Sequence, residues 1–306
     1  MTVNLIAREE QLDIQDPLRH YMQLDDINET DPSETHQVSS ELLSVLPRQS
    51  HSVHDEILKL SFLKNQDDLQ PLVSITLSMD AAPGCGGVAW PAGQVLANYL
   101  VKKGPSFVTG RNVLELGSGT GLVGLVAGKL GGNVWITDQA PLLGIMHRNV
   151  LGNKLESTVT VSELNWSALS PLFDHSNASV PYLGYYPSRG SLVSSNIPSP
   201  DLILAADCVY FEPAFPLLVQ TLSELVGDTT EVLFCYKKRR KADKRFFTIL
   251  RKKFSWIEVS DDPHRHIYGQ DSITLIRLFK TKTNGVSGNR AQQAEIRDRC
   301  SSRMSS

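Results

Sequence analysis

Three glycines at alternate positions form the most informative motif of the sequence. Gly117, Gly119 and Gly121 lie between two apolar runs. The run NVLELG, which ends at Gly117, predicts a strand, and the run LVGLVAGKL, which begins after Gly121, predicts a helix. Glycine allows a tight turn and the close approach of a ligand, while a helix N-terminus offers free N–H donors. A dinucleotide fingerprint needs glycine at position 122, where this sequence has leucine. The loop is therefore predicted to bind a nucleoside, the alternative being a turn that only packs strand against helix.

A carboxylate follows the next predicted strand. Asp138 ends the run NVWITD, nineteen residues beyond Gly119. A carboxylate at this place in a nucleoside-binding sheet accepts hydrogen bonds from both hydroxyls of a ribose. Aspartate is also a good N-cap for a following helix. Together with the glycines, Asp138 favours ribose binding.

A third polar group ends another apolar run, LILAADCVYFE. Asp207 and Tyr210 lie three residues apart, directly after five uncharged residues. A carboxylate can attract a cation, and a tyrosine can offer it an aromatic face and a hydroxyl. The alternative is a helix cap followed by a packing aromatic residue. Cys208 and Val209 are predicted to turn toward the core.

Alternating strands and helices must position these residues. Repeated strand–helix units predict an α/β fold with a mostly parallel sheet, covered by helices on both faces. Two closing strands without a helix between them predict one antiparallel strand at the edge. Since ligands lie outside the carboxyl ends of parallel strands, the site is predicted at Gly117, Asp138, Asn165, Asp207 and Tyr236. The predicted strands are 112–117, 133–138, 158–164, 201–206, 231–236, 256–260 and 272–279, and the predicted helices 122–130, 141–154, 213–226 and 244–254.

The chain divides into one domain with polar ends. Residues 1–54 form an acidic N-terminal extension, and residues 281–306 a tail with little apolar content; both are predicted to be flexible. The domain covers residues 55–280 and begins with a β-hairpin, because 57–63 and 72–79 alternate between apolar and polar residues. Residues 167–200 are rich in Ser, Pro, Gly and Tyr and are predicted to be an inserted loop bordering the substrate opening.

The composition and charge of the chain argue against several classes of binding partner. The formal net charge of −3 and a sequence pI of about 6.2 give no positive field to hold nucleic acid. The sequence contains no apolar stretch of 18 residues, so no membrane span is predicted. The four cysteines lack metal-ligand spacing, and His264 and His266 lack the further ligands that a metal site needs, so no metal site is predicted. We expect a cytoplasmic monomer.

Several motifs together resemble a known family. VLELGSGTGLVG, ITD and LILAADCVY resemble the seven-strand S-adenosylmethionine-dependent methyltransferases, within them the family 16 or methyltransferase-like 21 group of protein-lysine methyltransferases. GGVAWPAGQVLANYL, residues 86–100, resembles the segment that precedes the core in that group. The resemblance covers roughly residues 55–280 and implies a Rossmann-like class I fold with S-adenosylmethionine as cofactor. The acidic extension and the Ser/Pro insertion resemble the fungal branch that methylates translation elongation factor 1A.

The resemblance also implies roles for particular residues. It implies that Asp207 and Tyr210 are catalytic, because they match the Asp-x-x-Tyr signature. Trp90 matches a tryptophan that lies against the cofactor, and Trp166 one that flanks the adenine, although both could simply be buried in the core. The full set implied for cofactor binding is Trp90, Gly117, Ser118, Gly119, Asp138, Trp166 and Ala206.

The chemistry of methyl transfer to lysine assigns a task to the two catalytic candidates. A neutral amine attacks while positive charge moves from sulfur to nitrogen, so the amine must be oriented and desolvated. Asp207 could guide the incoming ammonium and stabilise the developing charge, with Tyr210 beside it. The sequence leaves open whether Asp207 acts as a base or as an electrostatic guide.

Other classes of protein share parts of this pattern. A small-molecule methyltransferase would share every cofactor residue, and a non-catalytic nucleoside-binding module would transfer nothing. An NAD-dependent oxidoreductase is disfavoured by the missing glycine at position 122 and by the absence of a Tyr-x-x-x-Lys pair. The basic run KKRRKADKR, residues 237–245, is interpreted as a solvated face that could contact a protein substrate.

Overall fold

A computed structural model describes residues 56–65, 68–80, 85–166, 197–239 and 243–281. Seven strands form one mixed sheet in the order β5-β4-β3-β6-β7-β9-β8. The pairings from β5 to β7 in this order, namely β5–β4, β4–β3, β3–β6 and β6–β7, are all parallel. The strands are β3 Asn112–Leu116, β4 Asn133–Asp138, β5 Val159–Glu163, β6 Leu202–Ala206, β7 Glu231–Lys237, β8 Phe254–Glu258 and β9 Ile273–Lys280. The predicted α/β fold is confirmed.

The last part of the sheet differs from the prediction in two details. β9 pairs antiparallel with both β7 and β8, so the antiparallel strand lies one position in from the edge and β8 is the edge strand. A short helix, Arg265–Gln270, separates β8 from β9, where no helix is predicted. Six residues are too few to display the helical periodicity from which the other helices were predicted.

Helices cover both faces of the sheet. Successive residues of a strand point to opposite faces, and in β6 Leu204 joins one apolar cluster while Ile203 and Ala205 join the other. One cluster contains buried residues of α1, α2 and α3, and the other contains those of α4 and α5. The helices are α1 Pro91–Lys103, α2 Leu122–Lys129, α3 Leu143–Gly152, α4 Phe215–Leu225, α5 Asp243–Leu250 and α6 Arg265–Gln270.

The predicted N-terminal hairpin is present and is fastened to α3. β1 Glu56–Phe62 pairs antiparallel with β2 Val73–Met79. Asn149 exchanges two hydrogen bonds with the backbone of Ser78, and Asn153 does the same with Thr76. Residues i and i+4 of a helix are spaced much like residues i and i+2 of a strand. The two asparagine side chains can therefore bind alternate residues of β2, as the backbone of a neighbouring strand would.

The predicted ends of the domain fall largely outside the described residues. Residues 1–55 and 282–306 lie there, as do 167–196 of the predicted insertion. The boundaries at 54, 167, 200 and 281 therefore stay predictions.

Candidate active site

The glycine loop joins the end of β3 to the start of α2. Gly117, Gly119 and Gly121 have φ values of 59°, 55° and 82°. These lie in the left-handed region, which glycine enters at no steric cost and other residues rarely adopt. The sequence therefore needs glycine at all three positions to turn from the strand into the helix.

Other parts of the chain surround this loop closely. A Cβ atom at Gly117 would lie 3.0 Å from the Cys208 Sγ and 3.2 Å from the Trp166 ring. At Gly119 a Cβ would lie 2.4 Å from the carbonyl oxygen of Gly86. The absence of side chains thus lets the ends of β3, β6 and the segment before α1 approach one another.

Asp138 binds the loop directly. Its Oδ2 accepts the N–H of Gly119 at 2.8 Å, and its Oδ1 accepts the N–H of Gln139 at 2.8 Å. Burial raises the pKa of this carboxyl to about 6, against the lowering effect of the two hydrogen bonds. Each oxygen accepts one N–H and has capacity for another donor, as ribose hydroxyls require. We call residues 117–121 together with Asp138 the glycine cradle.

Ser118 supports the cradle from within. Its hydroxyl donates to the carbonyl of Glu115 at 3.2 Å and accepts the N–H of Thr137 at 2.9 Å. Its own N–H and carbonyl bind Thr137 and Gly121. The polar groups of Ser118 are thus engaged inside the turn, where they shape it.

The two predicted tryptophans lie at different sides of this region. Trp166 is half-buried beside Gly117, just after β5. Trp90 is the N-cap residue of α1, and its half-buried ring lies under the guanidinium of Arg239, 5.2 Å from its centre. Ala206 is the last residue of β6 and is also partly exposed.

Asp207 forms a second polar centre at the end of β6. Its side chain is buried, and its φ of 54° is left-handed, a conformation that Asp tolerates better than most residues. Oδ2 accepts the N–H of Ala92 in the first turn of α1 at 3.0 Å. Oδ1 accepts the N–H of Lys237 at 3.2 Å and Nη1 of Arg239 at 2.9 Å. We call these contacts the Asp207 junction, since they join α1 to the ends of β6 and β7.

Tyr210 differs from Asp207 in its surroundings. Its side chain is 38% exposed, whereas Asp207 is 6% exposed. The chain turns into a 3-10 helix at Glu212, directly before α4. Tyr210 therefore lies at the surface, whereas the carboxylate three residues before it is buried.

Two residues of this region were not predicted as site residues. Glu115 is buried in β3, and its Oε2 accepts the N–H of Gly124 at 3.0 Å, while burial raises its pKa to about 8. The signal was an acid in the otherwise apolar run VLEL. Arg239 was assigned to a solvated basic face, but its side chain is 13% exposed and ion-paired with Asp207. No local pattern distinguishes it from the other cations of that run.

Of the two histidines of DPHRH, His264 lies near the C-terminal end of α1. His264 is the N-cap residue of α6 and contacts Lys102, which is 3.3 Å from Asp262. Within the described ranges no group of three or more His, Cys, Asp or Glu residues could hold a metal ion. In those same ranges no helix combines the length and apolarity needed to cross a membrane.

Comparisons with known proteins agree with this geometry. Residues 70–179 and 191–253 match a family model described as lysine methyltransferase. The protein-lysine N-methyltransferase EFM6 of Saccharomyces cerevisiae is 36% identical over 215 residues, which are 64% of this chain and 82% of that protein. The protein N-lysine methyltransferase METTL21A of Danio rerio is 39% identical over 204 residues, or 66% of this chain and 80% of that protein.

A solved T. thermophilus 16S rRNA methyltransferase aligns with a TM-score of 0.46 and 14% identity, covering 74% of this chain and 50% of that chain. The predicted family, the predicted enzyme class and S-adenosylmethionine as cofactor are confirmed. With more than half of its length matched by the family model, the chain belongs to the lysine methyltransferase family.

Proposed function

We propose that the chain transfers a methyl group from S-adenosylmethionine to a lysine amine of a protein at the carboxyl ends of β3, β4 and β6. The observation that carries this proposal is how closely these three strand ends meet. Gly119 binds Asp138 at 2.8 Å, and the space beside Gly117 is bordered by Cys208, directly after Asp207. A cofactor held by Asp138 would therefore reach the neighbourhood of Asp207.

The glycine cradle is the proposed cofactor half of the site. Gly117 and Gly119 allow close backbone approach, and Asp138 accepts the ribose hydroxyls. Trp166 would lie beside the adenine, in keeping with its place next to Gly117. Trp90 and the backbone of Ala206 would complete the contacts. Ser118 would act through the shape of the turn, because its polar groups already bind within it.

The Asp207 junction and Tyr210 are the proposed acceptor half. S-adenosylmethionine supplies a methyl group on a positively charged sulfur, which a neutral amine can accept. Asp207 is held by three N–H donors, so its carboxylate has a defined position from which it can guide the lysine and stabilise charge on nitrogen. Tyr210 would offer its ring and hydroxyl to the same amine.

We further propose that the protein substrate is translation elongation factor 1A and that the chain acts on it as a cytoplasmic monomer. The support for this step is the resemblance of the sequence to the fungal methyltransferases of that factor. The relatives' names support a protein-lysine substrate without specifying which protein.

Labelling of a cell extract tests both steps. Purified protein is incubated with tritiated S-adenosylmethionine and an extract that lacks the endogenous enzyme, and the labelled peptide is identified by mass spectrometry. We expect one labelled band that contains methyl-lysine in elongation factor 1A. Methyl-lysine in another protein would contradict only the substrate, whereas label on arginine, RNA or a metabolite would contradict lysine transfer.

A further inference from the structure

Arg239 is held through both its side chain and its backbone. Its Nη1 lies 2.9 Å from Oδ1 of Asp207, and the two side chains are only 13% and 3% exposed. Its backbone N–H donates to Oδ2 of Asp243, at the start of α5, at 2.9 Å. Lys238, the preceding residue, is exposed. Arg239 is therefore held at its guanidinium group and at its backbone N–H.

The guanidinium also contacts the segment before α1. Its central carbon lies 5.2 Å from the centre of the Trp90 ring, within the range of a cation–π interaction. Ala92, two residues later, donates its N–H to the same Asp207 carboxylate. The Arg239 side chain thus contacts both Trp90 and Asp207, two proposed site residues from distant parts of the sequence.

We propose that Arg239 is a positioning residue for methyl transfer: it fixes the Asp207 carboxylate and the Trp90 ring, and its charge balances that of Asp207. This inference rests on the proposed function. The attacking amine must be neutral, and an unbalanced carboxylate beside it favours the protonated, unreactive ammonium. A guanidinium on the same carboxylate weakens that effect while leaving the carboxylate in place.

Among the described residues, several charged groups near the junction are acidic, which increases the need for a cation there. Asp138 and Glu115 act electrostatically on Cys208, next to Asp207. Asp262 acts likewise on Cys235, whose carbonyl accepts the Asp207 N–H. The N-terminus of α1 adds a partial positive charge at Ala92. The titratable groups near the junction that bear on its pH dependence are Glu115, Asp138, Tyr210, Lys237, Asp243 and Asp262.

The test compares Arg239→Gln and Arg239→Lys with a matched control, Arg251→Gln. Arg251 is also placed over an indole, 6.0 Å from the Trp256 ring, but it is exposed and lies at the end of α5. The kcat and KM for the labelled protein substrate are measured from pH 6 to 10, together with S-adenosylmethionine affinity and thermal unfolding. Wild-type protein is measured first.

We expect Arg239→Gln to lower kcat about tenfold or more and to move the acid limb of the pH profile up by about one unit. Arg239→Lys should keep the limb near its wild-type position, because the charge is kept, but recover kcat only in part, because an ammonium lacks the planar fork. Added guanidinium should partly restore Arg239→Ala. Arg251→Gln should behave like wild type.

Two results would overturn the inference alone. One is a wild-type kcat in Arg239→Gln. The other is a loss of activity with an unshifted pH profile and lowered thermal stability, which would mean a purely structural role. A wild-type protein that methylates no lysine would overturn the proposed function and this inference with it.

Discussion

The glycine cradle and the Asp207 junction each hold one carboxylate at a strand end, but in different ways. Asp138 accepts two backbone N–H groups and stays partly exposed, and its pKa is raised to about 6 by burial. Asp207 accepts two backbone N–H groups and a guanidinium, and it is buried. The first arrangement suits a carboxylate that must accept further hydroxyl donors. The second suits one whose charge and position must stay constant.

Asp207→Asn gives the largest expected effect, because it removes charge from the junction. Asparagine keeps the size of the side chain and tolerates the left-handed backbone, so the fold should survive. We expect kcat to fall about 100-fold, while the S-adenosylmethionine Kd changes less than about threefold, as single-turnover transfer and calorimetry would measure.

Asp201→Asn is a matched control for that change. Asp201 lies at the other end of the same strand and also accepts a backbone N–H, from Asn112 at 2.9 Å. It should alter stability without altering kcat. If Asp207→Asn weakened cofactor binding as strongly as it lowered kcat, the division into two functional halves would be wrong.

Asp138→Asn is expected to weaken cofactor binding while leaving kcat nearly unchanged, which is the reverse of the effect expected for Asp207→Asn. Replacing a carboxylate by an amide removes a charged acceptor for ribose hydroxyls, so the S-adenosylmethionine Kd should rise roughly 30-fold. At saturating cofactor kcat should stay close to wild type. Glu163→Gln, in register with Asp138 on β5 but exposed, is the control. Unchanged affinity in Asp138→Asn would remove the ribose assignment.

Acidification should reproduce part of that loss in the wild-type protein. The Asp138 carboxyl, with its pKa raised to about 6 by burial, takes up a proton as the pH falls through that value. The protonated form loses its charge, so cofactor affinity should fall about tenfold between pH 7.5 and 5. Calorimetry at several pH values measures this. A slope that persists in Asp138→Asn would point to another group, such as Glu115.

Tyr210→Phe should have the smallest effect. The ring stays, and only the hydroxyl of a 38% exposed side chain is removed. A neutral hydrogen bond contributes about 1 kcal/mol, so kcat/KM for the protein substrate should fall about fivefold. Tyr210→Ala should cost more, because the aromatic face is lost as well. Equal kinetics for both variants would exclude the ring from the acceptor half.

Local patterns in the sequence located most residues of the proposed cofactor half. Gly117, Gly119 and Asp138 follow two strands that the apolar runs reveal, and parallel strands bring their carboxyl ends to one edge of the sheet. The hairpin β1–β2 was predicted from alternation, which is also a local property. The family could be named from the same short motifs.

Only the tertiary structure decided what surrounds Asp207. Its partners Ala92 and Arg239 are 115 and 32 residues away along the chain, so no spacing pattern relates them. Likewise, the insertion of β9 between β7 and β8 depends on pairing across the sheet rather than on the residues of β9 alone. Sequence periodicity reports which face of an element is buried, whereas the partner of a buried polar group depends on how distant elements pack.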